Sequence, residues 1–192
     1  MTLLFADSFD GYATAQLAAR YNVRSGMAIT AAAGRNSTAG LTSSDHNEYV
    51  GLTVGNKATV IVGGAWYWTS VGSLYNMVDL YDGASIQIYL QVDAGGILRV
   101  KRGDGTLLAT SAQALLSGAW YYIEIKATIN NATGAVAVNV NGHEWVNVSG
   151  IDTQYTANAY VSLVKWHVYG KIDDIYICDD AGGVNDNFLG VS

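Results

Sequence analysis

Three glutamates, Glu48, Glu124 and Glu144, have side chains that could serve as a general acid or base. Glycoside hydrolysis needs two carboxyl groups across a sugar, roughly 5 to 9.5 Å apart. None of the three glutamates has an acidic residue two or five positions further on, so no strand pattern pairs it with a second carboxyl group. Glu124 alternates with Tyr122 and Lys126, which predicts an outward, solvated or ion-paired side chain. The sequence therefore predicts no glycosidase.

Asp173 and Asp174 form the one acidic doublet inside a predicted strand. Successive residues of a strand point to opposite faces, so the two carboxylates cannot bind one ion side by side. One of them could join Asp7 or Asp10 if the first and last strands are neighbours, which would give an oxygen-rich calcium site. The alternative, which we favour, is a carboxylate that accepts hydrogen bonds from a loop at the sheet edge. We expect no other cofactor.

The remaining nucleophiles and metal ligands show no catalytic spacing. His46, His143 and His167 are isolated from one another in the sequence, and no serine lies in a Gly-x-Ser-x-Gly context. Cys178, the only cysteine, ends an apolar strand and is expected to be a small core residue. We therefore expect a protein without enzymatic activity.

Tryptophans on predicted strands are the candidates for ligand contact. Trp66, Trp68 and Trp145 could stack on sugars if their rings are exposed, while Asn and Asp side chains of loops would bind the hydroxyl groups. The same rings could instead be buried against another protein chain. Charged residues make up only 14% of the chain and cannot cover its surface, so the protein contact is the simpler explanation.

Alternating apolar and polar residues predict the elements that position these side chains. In the segment 85–92, Ile86, Ile88, Leu90 and Val92 share one face, and Asp-Gly and Asn-Gly pairs between such segments are typical of tight hairpin turns. The predicted strands cover residues 3–7, 49–54, 58–66, 77–81, 85–92, 97–102, 106–109, 121–129, 135–141, 143–148, 159–167 and 171–178, with short helical turns at 14–20 and 113–116. Many short strands between turns predict an all-β domain, an antiparallel sandwich of two sheets.

The composition excludes several classes of protein. A formal net charge of −6 argues against nucleic-acid binding, which needs a basic face. No apolar run approaches the roughly 18 residues that span a bilayer. The first ten residues lack the basic start and apolar segment of a secretory signal. We therefore expect a protein that binds neither nucleic acid nor membrane.

Four segments carry a family resemblance. They are residues 5–10 (FADSFD), 120–125 (WYYIEI), 133–142 (TGAVAVNVNG) and 171–178 (KIDDIYIC). Together they resemble a concanavalin A-like (laminin-G-like) domain. The resemblance covers most of the chain and implies a two-sheet jelly-roll sandwich over residues 1–178.

The segment after the last predicted strand carries a second resemblance. Residues 179–190 read DDAGGVNDNFLG and follow the acidic pair at 173–174. This order is similar to the ending of many virion proteins of tailed phages and prophages, in which a last strand with an Asp pair leads into Asp-x-x-Gly-x-x-Asn-x-x-Phe-Leu-Gly. It implies a structural virion protein whose residues 179–192 form an extension that packs on the sandwich or on a neighbouring subunit.

A virion protein of this kind would be non-enzymatic, foremost a capsid decoration or cement protein located in the virion and assembled in the host cytoplasm. It would form a homo-oligomer and dock on the major capsid protein or on other virion subunits by burying apolar surface. The expected anchors are the apolar residues Leu3, Leu4, Phe5, Phe188 and Leu189. For Phe188, contact with its own sandwich is an equal alternative.

A carbohydrate-binding module of a phage tail or fibre, on the same fold, is the alternative function. Fold alone cannot separate the two functions, since unrelated sites occur on one architecture. Solvent-facing tryptophans beside Asn or Asp would favour the sugar-binding module, whereas tryptophans buried in subunit contacts would favour the virion role.

Overall fold

The computed structural model describes residues 2–70, 72, 74–182 and 187–190. Its strands are β1 (Leu3–Asp7), β2 (Val23–Ser25), β3 (Ala28–Thr30), β4 (Gly40–Ser43), β5 (Tyr49–Lys57), β6 (Thr59–Tyr67), β7 (Tyr75–Asp82), β8 (Ser85–Val92), β9 (Ile97–Arg102), β10 (Leu107–Ala114), β11 (Trp120–Thr128), β12 (Gly134–Val140), β13 (His143–Ile151), β14 (Val161–His167) and β15 (Gly170–Asp179). The helix α1 (Leu17–Arg20) follows a 3-10 turn at Thr14–Gln16, and a second 3-10 turn lies at Arg35–Ser37. Helices able to span a bilayer are absent from the described part of the chain.

Two antiparallel sheets make up the molecule. Sheet A has the strand order β13-β12-β11-β6-β15-β4-β3, and β1 also pairs with β15. Sheet B has the order β10-β9-β8-β7-β14-β5-β2. The predicted fold is confirmed: the chain is an all-β, antiparallel jelly-roll sandwich of the concanavalin A-like type.

The main hydrophobic core lies between the sheets and is built by the period-two alternation. Ile88 and Leu90 of β8 and Ile123 and Ile125 of β11 are at most 1% exposed. Because alternate residues of a strand face opposite sides, these positions leave the residues between them on the outer faces.

The tryptophans predicted to stack on sugars belong largely to this core. Trp66 and Trp68 are 1% and 0% exposed and pack with the equally buried Trp166. The predicted stacking role of Trp66 and Trp68 is therefore wrong, because neither ring can reach a ligand. Trp145 is half-buried and packs against the same core.

Most predicted strands are present, with shifts of a few residues at their ends. The strands β2, β3 and β4 were not predicted, because they are only three or four residues long and lack a clear apolar alternation. The helical turn predicted at 113–116 is absent, because β10 continues to Ala114 in pairing with β9.

The outer face of sheet A carries a second apolar cluster that the C-terminal segment covers. Its buried members are Ile61, Ala65, Tyr122, Tyr176 and Cys178, and Trp120 and Phe188 pack against them. Burial raises the pKa of the Cys178 thiol to about 11, which agrees with its predicted role as a small buried residue. Phe188 thus contacts its own sandwich, the alternative that we left open for this residue.

Glu124 lies under the same C-terminal segment. It is 0% exposed, so the predicted solvated position on an outward face is wrong. Its Oε1 accepts hydrogen bonds from the Tyr176 hydroxyl (2.5 Å) and from the Gly190 backbone N–H (3.0 Å). The Leu189 N–H donates to the Tyr176 hydroxyl in turn (3.3 Å). Glu124 does lie on the outer face of sheet A, as predicted. It is buried because residues 188–190, which are distant in the sequence, cover this part of the face.

Gly63 allows the Tyr176 ring to approach β6 closely. A Cβ at this position would lie 2.1 Å from a ring carbon of Tyr176. We expect Gly63→Ala to lower the free energy of unfolding by about 1–3 kcal/mol, the usual cost of overpacking, as measured by urea denaturation. Gly95→Ala is the control, since its Cβ would meet only the Asp93 Oδ1 at 3.3 Å. Equal stability of the two variants would contradict the tight contact.

Candidate functional site

The outer face of sheet B carries a row of polar and aromatic side chains. The strands β5, β14, β7, β8 and β9 lie side by side there, and their inward residues fill the main core. We call the outward set the polar face; it consists of Tyr49, Asp79, Tyr81, Tyr89, Gln91, Lys101, Lys165 and His167. These side chains come from strands far apart in the sequence, and the pairing register brings them together.

Lys165 lies at the centre of one half of the polar face, between two tyrosines. Its Nζ is 4.2 Å from the ring centroid of Tyr49 and 4.4 Å from that of Tyr81. In register, Lys165 is opposite Gly51 on β5, and a Cβ on Gly51 would lie 2.9 Å from the Lys165 Cγ. The glycine therefore leaves room for the lysine stem, and the rings hold its ammonium group in place by cation–π attraction.

Asp79 is the acidic member of the polar face and is only 2% exposed. Its Oδ2 lies 2.9 Å from the His167 Nε2 and 3.5 Å from the Tyr81 hydroxyl, and its Oδ1 accepts a hydrogen bond from the Asn76 Nδ2 (2.8 Å). Burial, followed by the charge of Asp79, raises the pKa of Tyr81 to about 12. The Tyr81 phenol is thus protonated at neutral pH.

Tyr89 lies next to Asp79, on β8, and opposite Lys101 on β9. Burial and the nearby Asp79 and Asp104 charges raise its pKa, so this phenol is also protonated. Unlike Tyr49 and Tyr81, Tyr89 has no cation over its ring within the described ranges. Its ring is available to another planar or apolar surface.

Two buried polar atoms of the polar face lack a hydrogen-bond partner among the described residues. They are the Oε1 of Gln91 and the Nδ1 of His167. The Nε2 of Gln91 donates to the Asn76 Oδ1 (3.1 Å), so only one end of this amide is bound. Buried polar groups without a partner cost about 1–3 kcal/mol each and often mark a place where a ligand or water binds.

The loop before β14 borders the polar face. The Gln87 Oε1 accepts hydrogen bonds from the backbone N–H groups of Tyr155 (2.7 Å) and Thr156 (3.1 Å), and Arg102 pairs with Asp152. Tyr155 is 49% exposed. The loop thus adds an exposed ring at the rim of an otherwise open sheet.

This face was not predicted from the sequence, although part of its signal is visible there. Gln87, Tyr89 and Gln91 alternate with buried apolar residues, as do Lys165 and His167. The missing information was which strands are neighbours. The register then shows that Asp79 and His167 form a pair, which their separation of 88 residues conceals.

The calcium candidates lie on the other side of the molecule. The strands β1 and β15 do pair, and Asp7, Asp10 and Asp174 line one cavity of about 430 Å³. Asp7 is ion-paired with Arg20 (3.0 Å) and Asp174 with Arg35 (3.3 Å). No group of three or more His, Cys, Asp or Glu side chains in the described residues could hold a metal ion.

Asp7 and Asp173 are instead bound by protein donors. The Asp7 carboxylate accepts hydrogen bonds from the Tyr12 hydroxyl (2.5 Å), the Tyr21 hydroxyl (2.8 Å) and the Phe9 N–H (3.0 Å). The Asp173 Oδ2 accepts hydrogen bonds from the Arg35 N–H (2.8 Å) and the Thr38 hydroxyl (3.1 Å). The predicted loop contact of Asp173 is confirmed.

The predicted interface residues differ in exposure. Leu3 and Leu189 are 56% and 46% exposed. Leu4 and Phe5 pack partly against the main core, and Phe188 against the second cluster. Of the predicted extension, the described residues 187–190 lie along the outer face of sheet A, while residues 183–186 and 191–192 are outside the described ranges.

Comparisons with known proteins support the architecture. Neither a protein-family model nor a curated protein sequence matches the chain. Among solved structures, the endo-β-1,4-glucuronan lyase of the fungus Trichoderma reesei is similar, with a TM-score of 0.69 and 10% identity over 93% of this chain and 96% of that chain. The alginate lyase Aly36B has a TM-score of 0.62 and 11% identity over 90% and 95%. Domain 4 of AbnA, an extracellular arabinanase of Geobacillus stearothermophilus in complex with arabinotriose, has a TM-score of 0.61 and 12% identity over 93% and 92%. The TM-scores show a shared fold, and at such low identity the likeness extends no further than the fold.

The buried Asp173 predicts a particular dependence of stability on pH. Burial, with a contribution from the Asp174 charge, raises the pKa of Asp173 to about 6, while an unfolded Asp titrates near about 3.9. Between these values the folded chain holds a proton that the unfolded chain has lost. The contribution of Asp173 to stability is therefore largest below about pH 4 and falls as the pH rises to about 6, by on the order of 2 kcal/mol.

Chemical denaturation between pH 4 and 7 measures this effect as the difference between the wild type and Asp173→Asn. The wild type should lose stability relative to the variant as the pH rises through this window. Asp10→Asn is the matched control, because Asp10 is exposed and its carboxylate accepts one backbone hydrogen bond from Ala39. A difference between wild type and Asp173→Asn that does not change with pH would contradict the raised pKa.

Proposed function

We propose that this protein is a non-enzymatic carbohydrate-binding module that holds a glycan on the polar face of sheet B. The observation that carries the proposal is the row of phenol, amide, imidazole and ammonium groups on an open sheet. Aromatic rings pack on the apolar faces of sugar rings, and the polar groups hydrogen-bond to hydroxyls. A carbohydrate-binding module is the alternative function inferred from the sequence. In the present proposal, Tyr89 and its neighbours take the place of the tryptophans as ligand contacts.

The rim of the polar face supports the same proposal. The exposed Tyr155 ring extends the contact area beyond the sheet.

The solved structures with the same fold support a glycan ligand. Two of them are named as lyases of glucuronan and of alginate, and the third is in complex with arabinotriose. Their identity to this chain is too low to transfer an activity, because one fold hosts many functions.

The chemistry of the polar face supports binding without catalysis. Its one carboxylate, Asp79, is buried and engaged by Asn76, Tyr81 and His167, so it lacks the second, facing carboxyl group that glycoside hydrolysis needs. Tyr81 and Tyr89 have raised pKa values, which make them poor general bases at neutral pH.

Loss of the Tyr89 ring tests the proposed function. We expect Tyr89→Ala to weaken binding to a polysaccharide about tenfold. Removal of one stacked aromatic ring costs about 1.4 kcal/mol of binding free energy, which corresponds to a factor of ten in affinity. Affinity electrophoresis against a panel of plant, algal and bacterial polysaccharides gives the measurement. Tyr67→Ala is the matched control, since Tyr67 is a half-buried strand tyrosine on sheet A. Equal binding of the two variants, or no binding to any polysaccharide by the wild type, would contradict the proposed function.

A role in a virion, as a decoration or cement protein or as part of a tail or fibre, is the second candidate. It is supported by the resemblance of residues 179–190 to phage virion proteins and by the exposed Leu3 and Leu189, which provide apolar surface for docking. Such a protein would lie in the virion, contact other virion subunits and form oligomers. This role is compatible with glycan binding, because the two leucines and the polar face belong to different sheets.

Localisation on intact particles tests the virion role. Immunogold labelling and separation of heads from tails should place the protein on purified particles. Its presence only in the cytosol of infected cells would contradict the virion role, and would leave glycan binding to be judged by the Tyr89 experiment.

A further inference from the structure

Two lysines of the polar face lack a carboxylate partner in the described part of the chain, although the protein is acidic. Five of the ten Lys and Arg side chains pair with a carboxylate within 4.0 Å: Arg20, Arg35, Lys57, Arg99 and Arg102. Lys101 and Lys165 have no such pair among the described residues, in a chain with 16 acidic side chains. The polar face thus carries two cations without a carboxylate partner among the described residues, in a chain with a net charge of −6.

The environment of Lys165 suits an anion better than a neutral sugar. The ammonium covers the ring faces of Tyr49 and Tyr81, so these rings are not open for stacking on a sugar. Ring faces attract the cation but do not accept its N–H groups as oxygen atoms do, which leaves the three donors of the ammonium for a ligand. Because the rings restrict the lysine before binding, less side-chain entropy is lost when an anion binds.

Asp79 does not neutralise these lysines. It lies between them in register, opposite Lys165 on one side and Tyr89 on the other, yet it forms no ion pair with either lysine. It is 2% exposed, and its oxygens are engaged by Asn76, Tyr81 and His167. A ligand at the surface therefore meets the ammonium groups before it meets the carboxylate.

The two lysines define a line across the sheet. Lys165, Asp79, Tyr89 and Lys101 are successive partners on β14, β7, β8 and β9. Three strand spacings place the Lys165 and Lys101 backbones about 14 Å apart. The Tyr89 ring lies between the two cations. A polysaccharide whose sugars carry carboxylate groups can therefore place the apolar face of one sugar on this ring and its carboxylates on both lysines.

We infer that the glycan bound by the polar face is an acidic polysaccharide, whose carboxylate groups pair with Lys165 and Lys101. This inference rests on the proposed function and narrows its ligand class. With a net charge of −6, the protein as a whole repels polyanions, so binding to one requires a local cationic site.

Binding to alginate, to neutral arabinan and to polyglutamate tests the inference, by calorimetry at low and moderate salt. We expect the wild type to bind alginate in preference to the other two polymers, and to bind it less tightly as salt increases. Lys165→Met should weaken alginate binding at least tenfold, and Lys165→Arg should restore most of it. Lys171→Met is the matched control, because the Lys171 Nζ also lies over a tyrosine ring, Tyr67 at 5.1 Å, but on sheet A.

The other outcomes separate the inference from the proposed function. Binding of arabinan as tight as that of alginate, or unchanged alginate binding by Lys165→Met, would overturn the acidic ligand and leave the glycan module intact. Equal binding of polyglutamate would also overturn it, since recognition would then follow charge and not sugar. Failure to bind any polysaccharide across the wider panel would overturn the proposed function as well. A melting temperature of Lys165→Met close to that of Lys171→Met shows that the loss of binding is local.

Discussion

The position of β14 between β5 and β7 is the constraint on which the rest of the structure depends. This non-sequential pairing buries Trp166 in the core and turns Lys165 and His167 outward. Lys165 then meets Tyr49 and Tyr81, and His167 meets Asp79. If β14 lay at the edge of sheet B, it would have one neighbouring strand, and Lys165 could not lie between Tyr49 and Tyr81.

The two outer faces of the sandwich differ in how much of each is covered by other parts of the chain. On sheet A, the C-terminal segment covers an apolar cluster and binds the buried Glu124 through the Gly190 N–H. On sheet B, the loop that Gln87 anchors is the cover that the described residues provide, at one end of the face formed by β5, β14, β7, β8 and β9. The outer face of sheet A therefore contributes to stability, whereas the main core does not require a cover on sheet B, since a sandwich needs only its inner faces for that core.

Local patterns predicted the fold well and the site poorly. Alternation identified Ser85–Val92 and Ile97–Arg102 to the residue, because apolar and polar residues largely alternate along both strands. The same rule assigned Glu124 to an outer face but could not foresee the cover supplied by residues 187–190. The prediction that Trp66 and Trp68 stack on sugars was wrong, because the residue type alone does not show whether a ring is buried or exposed. The pairing of Asp79 with His167 depends on strand order, which alternation within one strand does not contain.

The central claim is that a glycan lies along the polar face of sheet B. Its most direct test is the mapping of backbone amide shifts by nuclear magnetic resonance while alginate oligosaccharides are added to the labelled protein. The shifts should change in β7, β8 and β14, around Asp79, Tyr89 and Lys165, and remain constant around Glu124 and Phe188. Changes confined to sheet A, or around the cavity beside Asp7, would contradict the account.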